Sequence, residues 1–314
     1  DALPISGVGR RPYDIVVLTD NITAEHREQL VAMLARLGKR LSLRFLDMAE
    51  TAGCFDTVKF YGHFRVQTYY RLFLQELFPE WDRALYLDGD MVALEDVAPL
   101  FDTPLGDNLV AAMRDADTAG IYAGFSPTRK AYSDEVLGLV EPFNYFQAGM
   151  MVFNLAAFRE RIRVDELVDY AVGNELELFD QDVLNVFCQG SVAFVPARWN
   201  VLADWQGIRI RDIISRAPED LQLEYFEGRR DPAIVHYAGP EKPWANPLSD
   251  LARCFWQYAM QTPWGEDLWA PFAAEEAGIR AHWRREEQVM GALRHLPARV
   301  GRWFRLRGSG EDHE

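Results

Sequence analysis

Two aspartates separated by one residue close a short apolar run: Tyr86-Leu87-Asp88-Gly89-Asp90. On an extended backbone residues i and i+2 point to the same side. Asp88 and Asp90 therefore present two hard oxygen ligands together, which is the outline of a divalent-cation site. Gly89 lets the chain turn and lets a ligand come close. The plain alternative is an acidic turn, because Asp and Gly are both turn residues. A second run, His236-Tyr237-Ala238-Gly239-Pro240-Glu241-Lys242-Pro243-Trp244, follows another short apolar stretch. An imidazole added to two carboxylates suits Mn²⁺ better than Ca²⁺, with Mg²⁺ also compatible. Gly239 and the loop amides suit a phosphate, and Lys242 offers a positive point charge. Taken alone, a histidine at a strand end is more often structural.

Two further runs carry polar groups at element boundaries. In Phe179-Asp180-Gln181-Asp182-Val183-Leu184-Asn185, Asp180 is a fair N-cap with acid in the first turn of a helix. The functional alternative turns those polar side chains toward a sugar. Tyr145-Phe146-Gln147-Ala148-Gly149 precedes an apolar run, and its plain reading is an aromatic loop that closes the core.

The elements that must position these groups alternate in type. Residues 14–19 read as a buried strand, because a short β-branched run needs cover on both faces. Thr23 is a plausible N-cap; Leu30, Met33, Leu34 and Leu37 recur at helical spacing, and Gly38 ends that helix. Residues 41–46 alternate as a strand, 64–78 read as a helix, and 84–87, 108–113, 149–153 and 233–237 read as strands. Strands alternating with helices predict an α/β fold with a mostly parallel sheet covered on both faces. In such sheets ligands sit beyond the carboxyl ends of the strands, and three strands here end in acid, at Asp20, Asp88 and Asp115.

Composition bounds the rest. The chain has 314 residues, 49% hydrophobic and 26% charged, which is ample for a core. A net charge of −15 argues against a general nucleic-acid binder and requires local cations or a metal beside any phosphate. Cys54, Cys188 and Cys254 are odd in number and widely spaced, which favours a reducing, cytoplasmic compartment. No apolar run reaches the ~18 to 20 residues of a membrane span. After about residue 250 strand signals stop. Residues 279–307 hold eight Arg against two Glu, interleaved with Trp283, Val289, Met290, Leu293, Leu296, Val300, Trp303 and Phe304. This stretch reads either as helix packed on the acidic body or as a basic amphipathic segment for the inner face of an anionic membrane.

The five motifs, Tyr69-Tyr70-Arg71-Leu72 and then the four runs above, stand in an order and at spacings that resemble glycosyltransferase family 8 over about residues 12–250. These are retaining transferases of the GT-A fold, including bacterial lipopolysaccharide galactosyl- and glucosyltransferases and, more distantly, glycogenin. The resemblance implies a GT-A domain over 1–250 with a helical extension over 251–314. It also implies a UDP-sugar donor, a glycan or lipopolysaccharide-type acceptor, and bound Mn²⁺ on Asp88, Asp90 and His236, with Asp88 also reaching the ribose. Gly239 and Lys242 match the loop that grips the diphosphate. Arg71, Asp115, Gln147 and Asp180 match contacts of the donor sugar, and Gln181 matches the residue nearest the anomeric carbon. Asp182 is the other candidate on the reacting face.

Two departures from the family pattern stand out. Gln147 occupies a position where Asn is usual. Residues 13–23 resemble the family's second strand, while its first strand and helix, with a uridine-binding Ala-x-Asp, have no counterpart in the first dozen residues. The expectation is an N-terminally incomplete domain or an incomplete nucleotide pocket, with Asp20 not serving as the uridine acid. The rival functions are an inactive or binding-only family member and a metal-dependent sugar nucleotidyltransferase; the second wants a Gly-rich basic loop near the N-terminus, which is not found.

Overall fold

The computed structural model describes residues 11–37, 40–62 and 65–294. Among the described residues there are nine strands: β1 (Tyr13–Thr19), β2 (Leu41–Asp47), β3 (Arg83–Leu87), β4 (Met91–Ala93), β5 (Val110–Arg114), β6 (Phe146–Asn154), β7 (Val192–Phe194), β8 (Val201–Leu202) and β9 (Ile234–His236). The α/β class expected from the alternation holds. Within it the pairing is mixed and divided among three sheets, ordered β1-β2, β3-β6-β5-β7 and β4-β9-β8. Three pairs are parallel, β1 with β2, β5 with β7 and β8 with β9. The pairs that build the centre, β3–β6, β5–β6 and β4–β9, are antiparallel. Antiparallel pairing of β6 with both neighbours puts that nine-residue strand at the heart of the core. Val110 to Ala112 and Met150 to Val152 are fully buried on both faces, which is why these segments read as continuous apolar runs rather than alternating ones.

β1 follows the expected segment, and Thr23 starts the helix Ala24–Leu37 by accepting from the His26 amide at 3.2 Å. Gly38, expected to end it, lies outside the described residues, as do the first ten residues, Phe64 and everything after Arg294. Among the described residues no ladder joins β1 to β3, yet both strands line one cavity of about 1420 Å³ along their lengths. The expected helix over 64–78 is a 3-10 helix, Val66–Phe73, followed by one α-turn, Leu74–Leu77. Tyr69, Tyr70 and Leu72 are buried along it.

The C-terminal helices pack on the third sheet. Trp256, Trp269, Ile279 and Trp283 form one apolar cluster with Val92, Val201, Val235 and Tyr237. The helix Glu276–Arg294 buries Ile279, Trp283 and Leu293 and exposes Val289. Part of the basic stretch expected over 279–307 is therefore a packed helix; Leu296, Val300, Trp303 and Phe304 lie outside the described residues. No helix among the described residues is long and apolar enough to cross a membrane.

Candidate functional site

Strand pairing brings the two acidic positions to the histidine. β4 begins directly after Asp90, and its Met91 pairs with His236, the last residue of β9. The Tyr237 amide donates to the Asp90 carbonyl at 3.0 Å, and the Asp88 amide donates to the Gly149 carbonyl of β6 at 2.8 Å. As a result one ligand atom from each of Asp88, Asp90 and His236 falls within 4.8 Å of the others. His236 Nε2 stands 3.2 Å from Asp90 Oδ1 and 3.9 Å from Asp88 Oδ2. A Cβ on Gly149 would overlap the His236 ring and stand 2.7 Å from Asp88 Oδ2, so only glycine leaves this cradle open. Two carboxylates and an imidazole at such spacing fit a divalent cation of the Mn²⁺ or Mg²⁺ type.

Each acid is held by a cation. Arg71, buried on the 3-10 helix, donates to Asp88 Oδ1 at 2.6 Å and pairs with Asp180 Oδ2 at 3.0 Å. Its guanidinium lies 4.3 Å from the centre of the Tyr86 ring, and the Tyr86 hydroxyl donates to Asp88 at 3.0 Å. Burial pushes the Asp88 carboxyl up, with Arg71 and His236 opposing. Burial also works against the Asp90 carboxylate, but His236 and Lys242 outweigh it and hold Asp90 below the usual range. Lys242 Nζ donates to Asp90 Oδ2 at 2.6 Å and to the Tyr237 carbonyl at 2.7 Å. Trp244, expected to anchor this loop, leaves part of its ring exposed and packs the rest against Phe255.

Opposite this cluster a bulge shapes the wall. The β5–β6 register slips between Ala112 and Met113, where Ala112 faces Met151 and Met113 faces Gln147. A bulge frees backbone groups from the ladder and re-aims neighbouring side chains. Here the freed Ala148 amide donates to Gln181 Oε1 at 3.0 Å, and the Ala148 carbonyl accepts from Arg71. Gln181 Nε2 in turn donates to Asp115 Oδ2 at 3.2 Å. Asp115 caps the helix Ala116–Gly120 by accepting from the Asp117 and Thr118 amides. Burial and the neighbouring Asp117 push Asp115 up to about 6. Asp180 likewise rises to about 6 through burial, with Arg71 and Thr68 opposing.

The cavity is lined by Arg71, Asp88, Asp90, Asp115, Gln147, Asp180, Gln181, His236 and Gly239. These nine sequence-identified residues thus meet at one wall system. Lys242 touches it through Asp90 and does not line it. Asp182 does not line it either: the side chain is 1% exposed and accepts from the Tyr132 and Tyr145 hydroxyls and the Leu178 amide, each at 2.7 Å. Asp20 closes β1 and is clasped by Gln67 Nε2 at 2.8 and 3.0 Å.

Two residues at the site carried no signal in the sequence. Arg209, buried, pairs with Asp117 Oδ2 at 3.0 Å and donates to the Ala238 carbonyl at 2.9 Å, behind the loop at Gly239. Asn200 sits against His236. Neither belongs to a recognisable run, and only tertiary packing brings them in.

A sequence model of the family described as "Glycosyl transferase family 8" matches residues 7–247. Similar proteins include General stress protein A of Bacillus subtilis, 24% identical over 81% of this chain and 84% of that protein. Lipopolysaccharide 1,3-galactosyltransferase of Salmonella typhimurium is 25% identical over 79% of this chain and 69% of that enzyme. Among solved structures, the apo bifunctional glycosyltransferase WbbM superposes with a TM-score of 0.74 at 30% identity over 83% of this chain. This chain spans 46% of the WbbM chain. Galactosyltransferase LgtC in complex with donor and acceptor sugar analogs superposes at 0.60 with 25% identity over 79% of this chain and 84% of that one.

Proposed function

The chain belongs to glycosyltransferase family 8, and from that premise we propose that it is a retaining enzyme moving a hexose from a UDP-sugar to a glycan or lipid-linked glycan, with Mn²⁺ as its cofactor. The observation that carries this reading is the meeting of Asp88, Asp90 and His236 on the wall of a cavity that Asp115, Asp180 and Gln181 also line. A cation held by Asp88, Asp90 and His236 would supply Lewis-acid stabilisation of the charge on the departing diphosphate.

The chain's own groups do the remaining positioning. Arg71 holds Asp88 and Asp180 together, keeping both carboxylates turned toward the donor. Lys242 brings positive charge to the edge of the cluster, and the loop amides around Gly239 add dipoles on the diphosphate side. Gly239 sits at φ +115°, a backbone state that an L side chain rarely adopts. Gln181 is held at both ends of its amide, by the Ala148 amide and by Asp115, so it faces the sugar in one orientation. An amide is a poor nucleophile, and Asp182 is locked in the core. Same-face attack, in which the departing phosphate accepts the proton of the acceptor hydroxyl, therefore fits these residues better than a covalent intermediate.

The test is hydrolysis of UDP-glucose and UDP-galactose with Mn²⁺. Turnover that disappears with EDTA is expected; neither turnover nor UDP binding in any divalent cation would sink the reading. A second reading, a binding-only member, is motivated by the absence, among the described residues, of a ladder between β1 and β3. UDP binding without turnover would favour it.

A further inference from the structure

Asn200 ends the 3-10 helix Ala197–Asn200, directly before β8, and is fully buried. Its amide is held from two sides. Oδ1 lies 3.0 Å from His236 Nδ1, and Nδ2 lies 2.7 Å from Gln147 Oε1. Gln147 Oε1 also lies 2.7 Å from the backbone nitrogen of Gly149.

That last contact fixes the whole chain of groups. A backbone N–H can only donate, so the Gln147 atom facing Gly149 is an oxygen. An oxygen there requires a donor from Asn200, which turns its NH₂ toward Gln147 and its carbonyl oxygen toward His236. A carbonyl oxygen can only accept, so the ring nitrogen opposite it carries hydrogen. Reversing Gln147 would set its NH₂ against the Gly149 amide, donor against donor, and reversing Asn200 would set its oxygen against Gln147 Oε1, acceptor against acceptor, among buried groups.

We propose that Asn200, oriented by Gln147 and the Gly149 amide, keeps the hydrogen of the neutral His236 ring on Nδ1, so that Nε2 presents its lone pair to a divalent cation at Asp88 and Asp90. Asn200 is a positioning residue: its side chain acts through His236. This rests on the cation site proposed above. It gives Gln147, where the family pattern has Asn, a role in orienting the histidine from behind. One group competes. Asp90 Oδ1, 3.2 Å from Nε2, would favour a hydrogen on that nitrogen instead. The relay through Asn200 must prevail for the lone pair to be free. Second-layer hydrogen bonds of this kind fix the tautomer of metal-binding histidines in general.

The experiment is ¹⁵N NMR of the ring nitrogens in the cation-free protein, at a pH where the imidazole is neutral, with His236 assigned by comparison with His236→Gln. A pyrrole-type Nδ1 and a pyridine-type Nε2 are expected; the reverse pattern overturns the proposal. Asn200→Asp keeps an acceptor opposite Nδ1 and should keep the tautomer. Asn200→Leu should hand the ring to Asp90, move hydrogen to Nε2, and weaken Mn²⁺ binding about 10- to 100-fold by calorimetry. If Asn200→Leu loses its fold by circular dichroism, Gln147→Leu frees Asn200 to turn and tests the same link. An unchanged tautomer in the folded variant overturns the relay. The Nδ1–H tautomer in a parent protein that binds no Mn²⁺ would support the relay and sink the cation site, so the two failures are separable.

Discussion

Gly149 lies so close to His236 that a Cβ on it would overlap the imidazole Cε1, and the same Cβ would stand 2.7 Å from Asp88 Oδ2 and 2.9 Å from Gln147 Oε1. Gly149 lies in the bulge of β6 but not at a positive φ, so the glycine serves close approach and not a special backbone angle. Gly149→Ala should therefore spread Asp88 and His236 while β6 remains intact. Mn²⁺ affinity is expected to fall at least about 10-fold by calorimetry, with an unchanged far-UV spectrum. Parent-like affinity would mean the three groups do not bind the ion together.

Asp88→Asn and Asp90→Asn should each abolish Mn²⁺-dependent turnover. Loss of a direct ligand exceeds the ~10- to 100-fold typical of changes one layer out. Asp88→Asn also leaves Arg71 with Asp180 as its one remaining carboxylate partner among the described residues. Steady-state rates with EDTA-treated enzyme titrated with Mn²⁺ check both variants; near-normal activity in either would remove the assignment.

The acids and the histidine were legible because strand ends leave a local signature: Asp88 and Asp90 need no knowledge of distant chain to be seen as a pair. Which of Gln181 and Asp182 lines the cavity was not legible. Adjacent residues at a helix start point in different directions, and which one faces the cavity depends on Tyr132 and Tyr145, 50 and 37 residues earlier. Asn200 and Arg209 left no trace for the same reason. The mixed strand directions were also hidden, because buried antiparallel and parallel strands produce the same apolar runs.

Gln181→Ala and Asp182→Asn should separate those roles. Gln181→Ala is expected to lower kcat at least about 10-fold with a small change in melting temperature. In Asp182→Asn the Leu178 amide, which can only donate, keeps an oxygen at the Oδ2 position, so the NH₂ falls opposite the buried Tyr145 hydroxyl, whose hydrogen loses its acceptor. A cost of about 1–3 kcal/mol follows, read as a lower melting temperature with kcat near the parent value. A large kcat loss in folded Asp182→Asn would return it to the reacting face.

Asp115 gives a pH signature. Its folded value of about 6 lies above the usual carboxylate value of 3.8, raised by burial and by Asp117. Between these values the folded state binds more protons than the unfolded one, so stability falls as pH rises from about 4 to about 6 and levels off above. Asp115→Asn removes that titration and keeps an oxygen for the helix cap. Urea melts should show the variant gaining on the parent between pH 4 and pH 7; a difference independent of pH would contradict the burial argument.

The tail splits into two testable parts. Trp283 lies 5.7 Å from Trp269, centre to centre, and donates from Nε1 to the Pro247 carbonyl at 2.7 Å. Glu286 on the same helix accepts from the Leu251 amide at 2.9 Å. Trp283→Ala should therefore cost about 3–5 kcal/mol of stability and leave the cation cluster untouched. The arginines at 299, 302, 305 and 307 lie beyond the described residues. A membrane contact of the kind expected from the sequence would rest on them, at roughly 1 kcal/mol per basic residue near an anionic surface and fading within a Debye length. Deleting residues 295–314 should abolish salt-sensitive co-sedimentation with anionic vesicles while leaving the melting temperature unchanged. Loss of stability on that deletion, or vesicle binding that survives it, would place the basic stretch with the packed helix and end the membrane reading.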